Sequence, residues 1–78
     1  MTILEGLLNQ IKQHLRGIQV FHVDDIPNII RKHNLVFADD ILIDNDNLVL
    51  KYQDTDVWFK LTWRQEGPRQ TLINIELQ

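Results

Sequence analysis

Residues 57–65 read VWFKLTWRQ, and this stretch decides the fold. Apolar residues occupy every second position from residue 57 to residue 63, which is the period of a β-strand with one buried face. Three further apolar or alternating runs accompany it, at 40–43, 47–53 and 71–77. Short clusters of Asp, Asn, Gly and Pro separate the four runs. Such connections are too short for crossover helices, so the four strands are predicted to form an antiparallel meander.

The chain before this meander opens with a helix signature. Thr2 is followed three residues later by Glu5, the spacing of a capping box. Apolar residues then recur at helical spacing: Leu4, Leu7, Leu8, Ile11 and Leu15. Gly17 is predicted to end this helix, since glycine readily adopts the left-handed conformation found at helix C-termini.

A short strand and a second helix are predicted next. Residues 18–23 are rich in β-branched and aromatic side chains, which favours a strand. Asp24 or Asp25 is expected to cap the second helix, with Pro27 in its first turn. Its buried face is predicted to contain Ile26, Ile29 and Ile30. Asn34 is a plausible terminator.

These patterns together predict one α+β domain over residues 1–78. The predicted order is helix, strand, helix, and then a four-stranded antiparallel meander with both helices on one face of the sheet. Alternation assigns to that covered face Leu48, Leu50, Tyr52, Val57, Phe59, Leu61, Trp63, Ile73, Ile75 and Leu77. It assigns to the open face Val49, Lys51, Trp58, Lys60, Thr62, Arg64, Leu72, Asn74 and Glu76.

Trp58 makes the open face a candidate recognition surface. Its ring is expected to lie beside Lys60 and Arg64, with Lys51 nearby. Such a surface can stack nucleic-acid bases or anchor a partner protein. An equally simple interpretation is that Trp58 packs on the stems of neighbouring lysines and has no further role.

An acidic patch is expected at one end of the sheet. The start of the first meander strand and the second turn lie at the same end, which brings together Asp39, Asp40, Asp54 and Asp56. A cation site or an imitation of nucleic-acid phosphates would use these carboxylates. The simpler interpretation is that the aspartates form turns and keep strand edges soluble.

The histidines are the candidates for catalysis or metal binding, and their spacing in the sequence does not fit either role. No pair among His14, His22 and His33 has the i, i+4 spacing of zinc ligands, and the chain has no cysteine. Each histidine is therefore expected to be semi-buried and structural. We expect no catalytic residue, no metal ligand and no cofactor.

The composition favours a small cytoplasmic protein. At 78 residues and a net charge of −3, the chain is a poor general binder of polyanions. No apolar run approaches the roughly 20 residues needed to cross a bilayer, so no membrane association is expected. Without cysteine there is no disulfide framework of the kind common in small secreted domains.

The order of elements resembles that of the phage uracil-DNA glycosylase inhibitors. Met1 and Thr2 with Leu4 open the first helix, residues 18–19 (IQ) open the first strand, and residues 40–42 (DIL) open the meander, as in that family. A tryptophan, here Trp58, begins the next-to-last strand in both. The resemblance covers most of the chain.

This resemblance implies a non-catalytic inhibitor. Its edge strand would enter the DNA-binding groove of a glycosylase, and a hydrophobic cavity would take up a protruding apolar side chain of that enzyme. Gln19 matches the first residue of the family's Gln-Glu-Ser strand motif, while Val20 and Phe21 replace the other two. The second helix carries Asn28 and Arg31 where the family has glutamates.

The leading hypothesis is therefore a module that binds another protein, such as a host DNA-repair or defence enzyme. The residues expected to contact this partner are Gln19, Val20, Phe21, Trp58, Lys60 and Arg64. One alternative is a nucleic-acid-binding domain that uses the face around Trp58. Another is a structural or self-associating module that buries this face in a homodimer.

Overall fold

The computed structural model describes residues 2–78, so Met1 of the family resemblance lies outside the described residues. The elements in chain order are α1 (Ile3–Leu15), β1 (Gln19–Val20), α2 (Asp25–Lys32), β2 (Asp40–Asp44), β3 (Asn47–Lys51), β4 (Asp56–Glu66) and β5 (Arg69–Leu77). The protein is a small α+β domain with two helices and a curled five-stranded antiparallel sheet.

Helix α1 begins and ends where the sequence predicts. The Thr2 hydroxyl accepts a hydrogen bond from the Glu5 backbone N–H at 3.1 Å, which confirms the N-terminal cap. Gly17 follows the helix with φ of +86°, a conformation that glycine adopts without a Cβ penalty. Its N–H donates to the Leu72 carbonyl at 2.7 Å. The end of the helix is thereby joined to the sheet.

Helix α2 lacks the predicted aspartate cap. Asp24 holds the N-cap position, but its side chain makes no capping hydrogen bond. The reason is local: a preceding turn supplies backbone acceptors instead, with Asp25 N–H bonded to His22 and the next N–H bonded to Val23. The end of the helix is as predicted, because Asn34 adopts a left-handed φ of +51°.

The sheet has five strands in the order β1-β5-β4-β3-β2, and every neighbouring pair is antiparallel. The predicted meander accounts for four of them, β2 to β5. The prediction of a four-stranded sheet is corrected, because β1 adds to the free side of β5 as a fifth strand. β1 is also shorter than the predicted 18–23 strand.

Both helices pack on the same face of the sheet. Side chains of α1, α2 and the sheet share one buried cluster, whose fully buried members include Ile11, Leu15, Ile26, Ile30, Leu48, Leu50, Phe59, Leu72 and Ile75. The alternation of residues 57–63 is confirmed, since Val57, Phe59 and Leu61 are buried in this cluster. Burial of this apolar surface is the main favourable term in folding.

A β-bulge in β5 corrects two predicted face assignments. Thr62 pairs with Asn74 while the next residue of β4, Trp63, pairs with Leu72, so Ile73 is an extra residue in β5. An extra residue reverses the alternation beyond it. Leu72 is therefore fully buried in the core, whereas Ile73 is 38% exposed.

The open face also has a buried residue. Val49 is 1% exposed, although it does not belong to the core cluster. Its cross-strand neighbours are Leu42 on β2 and Trp58 on β4. Because both flanking side chains are large and apolar, they cover Val49 and form a small apolar row on this face.

Candidate functional site

A surface groove of about 360 Å³ lies between strand β1 and helix α2. We call it the β1–α2 groove. Its lining residues are Gln19, Val20 and Phe21 from the strand side and Asp25, Asn28, Ile29 and Lys32 from the helix. The three residues of the strand side are the same three that the sequence placed at a partner-binding edge. The structure thus gives them a shared concave surface.

The backbone of β1 has unpaired groups that face away from β5. The Leu72 N–H of β5 donates to the Ile18 carbonyl at 2.9 Å. In an antiparallel ladder, hydrogen-bonded and non-hydrogen-bonded pairs alternate. The Ile18 carbonyl and the backbone groups of Val20 therefore bond toward β5, whereas the N–H and C=O of Gln19 point outward. β1 is the terminal strand on this side of the sheet, so this edge is open in the described part of the chain.

Phe21 is an exposed aromatic residue with a cation–π partner. The residue is 56% exposed. The guanidinium of Arg69 lies over it, 5.1 Å from the ring centroid, which is cation–π geometry. The neighbouring Gln19 side chain makes long contacts of 3.4 Å with Glu66 and 3.5 Å with Arg69. Aromatic and arginine side chains are the residue types most often found as anchors of protein interfaces.

The helix side of the groove is apolar in the middle and charged at both ends. Ile29 is partly buried against the core and forms, with the buried Val20, the apolar floor. Asp25 lies in the first turn of α2 and Lys32 in its last turn. The groove therefore has an acidic end and a basic end, with apolar surface between them.

The face around Trp58 is less available than the sequence predicts. The ring of Trp58 is only partly exposed. Lys60 is exposed but lies directly across from Glu76 on β5. Arg64 forms an ion pair with Glu66 at 2.7 Å. Cations and carboxylates are interspersed here, so the face does not form a positive patch.

The ion pair between Arg64 and Glu66 also affects the pKa of Glu66. The hydrogen bond from Arg64 holds the pKa of Glu66 below its ordinary value of 4.5, against a smaller opposing effect of desolvation. The positive charge of Arg64 and the nearby Thr71 hydroxyl add to the lowering. The charged group of Arg64 is thus already paired with Glu66 of the same chain.

The four aspartates of the predicted acidic patch lie at the same end of the sheet: Asp39, Asp40, Asp54 and Asp56. They do not form an uninterrupted acidic surface. Lys51 stands between Asp40 and Asp56 in one cross-strand row, 3.9 Å from the Asp56 carboxylate. Arg31 of α2 lies 3.0 Å from the Asp40 carboxylate. Basic side chains therefore offset two of the four carboxylates.

The three histidines are exposed, so the prediction that they are semi-buried is wrong. His33 follows the last helical residue and His22 follows the end of β1, so the periodic patterns no longer apply at either position. His14 lies off the apolar stripe of α1. Two of them, His14 and His33, line a cavity of about 320 Å³. Within residues 2–78 there is no group of three or more side chains able to hold a metal ion.

The helix side of the groove was missed in the sequence. Residues 25, 28, 29 and 32 are spaced i, i+3, i+4 and i+7, so they share one face of α2. This spacing is a readable signal for a second, mixed face beside the buried one. The sequence pattern does not indicate that β1 lies opposite this face of α2.

Comparison with protein-family models, with curated proteins and with solved structures finds no match to this chain. Neither helix in residues 2–78 is long and apolar enough to cross a membrane. The groove and the edge strand are therefore the features from which a function is inferred.

Proposed function

We propose that this chain is a non-catalytic protein-binding domain whose partner contacts the β1–α2 groove. The observation that carries the proposal is the position of Phe21. This exposed ring contacts the guanidinium of Arg69 and lies beside an open strand edge and an apolar-floored groove. Aromatic residues in such surroundings dominate the binding energy of many protein interfaces.

The charges favour a protein over a nucleic acid as the partner. Binding to nucleic acid depends on basic side chains that are free to contact phosphates. Lys51 and Arg64 are instead ion-paired with Asp56 and Glu66. The net charge of −3 also disfavours binding to nucleic acid, which is itself negatively charged.

We extend the proposal to inhibition of a host DNA-processing enzyme. The basis is the resemblance of the element order to the phage uracil-DNA glycosylase inhibitors, to which the comparisons add no support. The assay is excision of uracil from DNA by purified glycosylase with the chain in stoichiometric excess. Inhibition that Phe21→Ala relieves is the expected result. Unchanged excision would remove this enzyme as the target.

Site-specific photo-crosslinking tests the binding surface. A benzophenone amino acid replaces Phe21, Trp58 or Phe37 in three separate variants, each exposed to a lysate of the host cell in which the chain is produced. Phe37 is the control because it is a loop phenylalanine that is 84% exposed. Exposure alone would thus favour crosslinks at residue 37.

The expected result is one adduct of defined mass from residue 21, which excess unmodified chain competes away. Adducts confined to residue 58 would contradict the proposal; nucleic acid in such an adduct would favour the alternative partner. An adduct of twice the chain mass would indicate a homodimer, which light scattering on the purified chain would show independently. Equal adducts from all three positions would mean non-specific contact.

A further inference from the structure

We infer that the β1–α2 groove binds an extended peptide strand that pairs with β1. The strand places a basic residue toward Asp25, an apolar residue against the floor and an acidic residue toward Lys32. The inference rests on the proposed function and specifies which segment of the partner enters the groove.

The backbone of β1 supplies the first reason. The N–H and C=O of Gln19 face outward, because its neighbours on either side bond toward β5. An edge that presents an outward backbone donor and acceptor is complementary to another strand. A helix in the groove would leave these groups without protein partners, because its own backbone groups are already bonded.

The opposite edge of the sheet supplies a contrast. At β2, the Asp40 carboxylate accepts the Ile41 N–H at 2.8 Å, and Arg31 donates to the Ile41 carbonyl at 2.9 Å. Side chains thus occupy the outward backbone groups of Ile41 on that strand. At β1, the Gln19 side chain contacts Glu66 and Arg69 on the neighbouring strands. It does not cover its own strand edge.

The dimensions of the groove define the spacing of the peptide motif. Asp25 and Lys32 are seven residues apart on α2, which corresponds to about 10 Å along the helix axis. In an extended strand, every second side chain faces the same way, at intervals of about 7 Å. Three groove-facing residues span about 14 Å, which covers the distance between the two charges. The motif is basic, any, apolar, any, acidic, written from the Asp25 end of the groove to the Lys32 end; it is read in either chain direction of the peptide.

Peptide selection tests the charge pattern. A phage-displayed library of random nine-residue peptides is selected on the wild-type chain and on the double variant Asp25→Lys, Lys32→Glu. The expected result is the motif above on the wild type and the same motif with its charges exchanged on the variant. Absence of a consensus on the wild type, or one that does not change on the variant, would overturn the inference.

The backbone pairing is tested with a synthetic peptide of the selected sequence. Gln19→Pro removes an outward N–H and no hydrogen bond to β5, and proline is tolerated on edge strands. Binding is expected to weaken about 10-fold, the upper value of one backbone hydrogen bond. Gln19→Thr also removes the glutamine side chain but keeps the N–H, so it separates the backbone effect from the side-chain effect. A loss in Gln19→Thr as large as that in Gln19→Pro would contradict backbone pairing.

A second measurement decides the question if Gln19→Pro does not fold. The same peptide is synthesised with N-methyl groups on alternate amides, in both phases, and titrated into the wild-type chain. One phase is expected to lose binding and the other to retain it. If both methylated peptides bind as well as the parent, strand pairing is overturned.

Different results would contradict the extended strand and the protein-binding function. A photo-crosslink at residue 21 with no selectable peptide would remove the extended strand and leave the protein-binding function. A photo-crosslink confined to residue 58 would remove the function itself.

Discussion

The guanidinium of Arg31 lies 3.0 Å from the carboxylate of Asp40. The same guanidinium donates to the carbonyl of Ile41, and Asp40 accepts the N–H of that residue. A helix side chain and a strand side chain together occupy the outward backbone groups of an edge strand. The sheet thus has one edge closed at this position, at β2, and one open edge, at β1.

Arg31→Ala is expected to open the β2 edge. The variant should associate with increasing concentration, because the Ile41 carbonyl becomes available to a second chain. Its free energy of unfolding should fall by about 0.5–1 kcal/mol, since the pair is solvent-exposed and screened. Sedimentation over a range of concentrations measures the association. The control is Lys32→Ala, and equal association of both variants would contradict the closed edge.

The β-bulge predicts unequal effects at two adjacent residues of β5. Leu72→Ala should reduce the free energy of unfolding by about 2–5 kcal/mol, because it leaves a cavity in the core. Ile73→Ala should cost less than about 1 kcal/mol, because this side chain is substantially exposed. Denaturant unfolding of both variants provides the comparison. A larger loss at Ile73 would mean that strict alternation continues through the strand.

Tyr52 is expected to titrate above its ordinary pKa of 10.0. Burial raises this pKa first, and the negative charge of Asp39 adds to it. A raised pKa means that the folded state holds the proton more tightly. The stability from Tyr52 is therefore fully present below pH 10 and is lost as the pH rises through the folded pKa.

Absorbance at alkaline pH measures this titration cleanly, because Tyr52 is the single tyrosine in the chain. Asp39→Asn should lower the pKa while leaving it above 10.0, since burial is the larger cause. An unchanged midpoint in that variant would show that Asp39 has no effect on the phenol.

Glu66 is expected to titrate below 4.5. A lowered pKa means that the ionised form is favoured in the folded state, so its stabilising effect is present above pH 4.5 and is lost as the pH falls through the folded pKa. NMR of the side-chain carboxyl measures the midpoint. Arg64→Ala should move it upward toward 4.5, whereas Lys60→Ala should not. Equal midpoints in wild type and Arg64→Ala would contradict the assigned cause.

Local signals predicted the individual elements well. Thr2 with Glu5 marks the start of α1, Gly17 marks its end, and Asn34 marks the end of α2. Each of these signals acts through hydrogen bonds or dihedral angles within a few residues of itself. The alternation of residues 57–63 predicted the covered face of β4 for the same reason, because the strand period is a local property.

These local signals could not predict which strands pair when they are far apart in the sequence. The join of β1 to β5 depends on contacts between residues some fifty positions apart, such as Gln19 with Thr71. The bulge at Ile73 leaves no mark in the pattern, because leucine and isoleucine suit either face. A one-residue shift then moved Leu72 into the core.

The candidate site was half predictable for the same reason. The family resemblance implied that residues 19–21 belong to an edge strand, but their opposition to Ile29 and Lys32 is a tertiary property. The exposure of Trp58 was overestimated, because cross-strand packing with Val49 is not visible from one strand.

The affinity of the crosslinked partner for two phenylalanine variants tests the binding surface most directly. Calorimetric titration of Phe21→Ala should show binding weakened about 10-fold or more, the loss expected when a hot-spot aromatic is truncated. Phe37→Ala, which removes a more exposed ring outside the groove, should bind within about threefold of wild type. Undiminished affinity of Phe21→Ala would contradict the β1–α2 groove as the site.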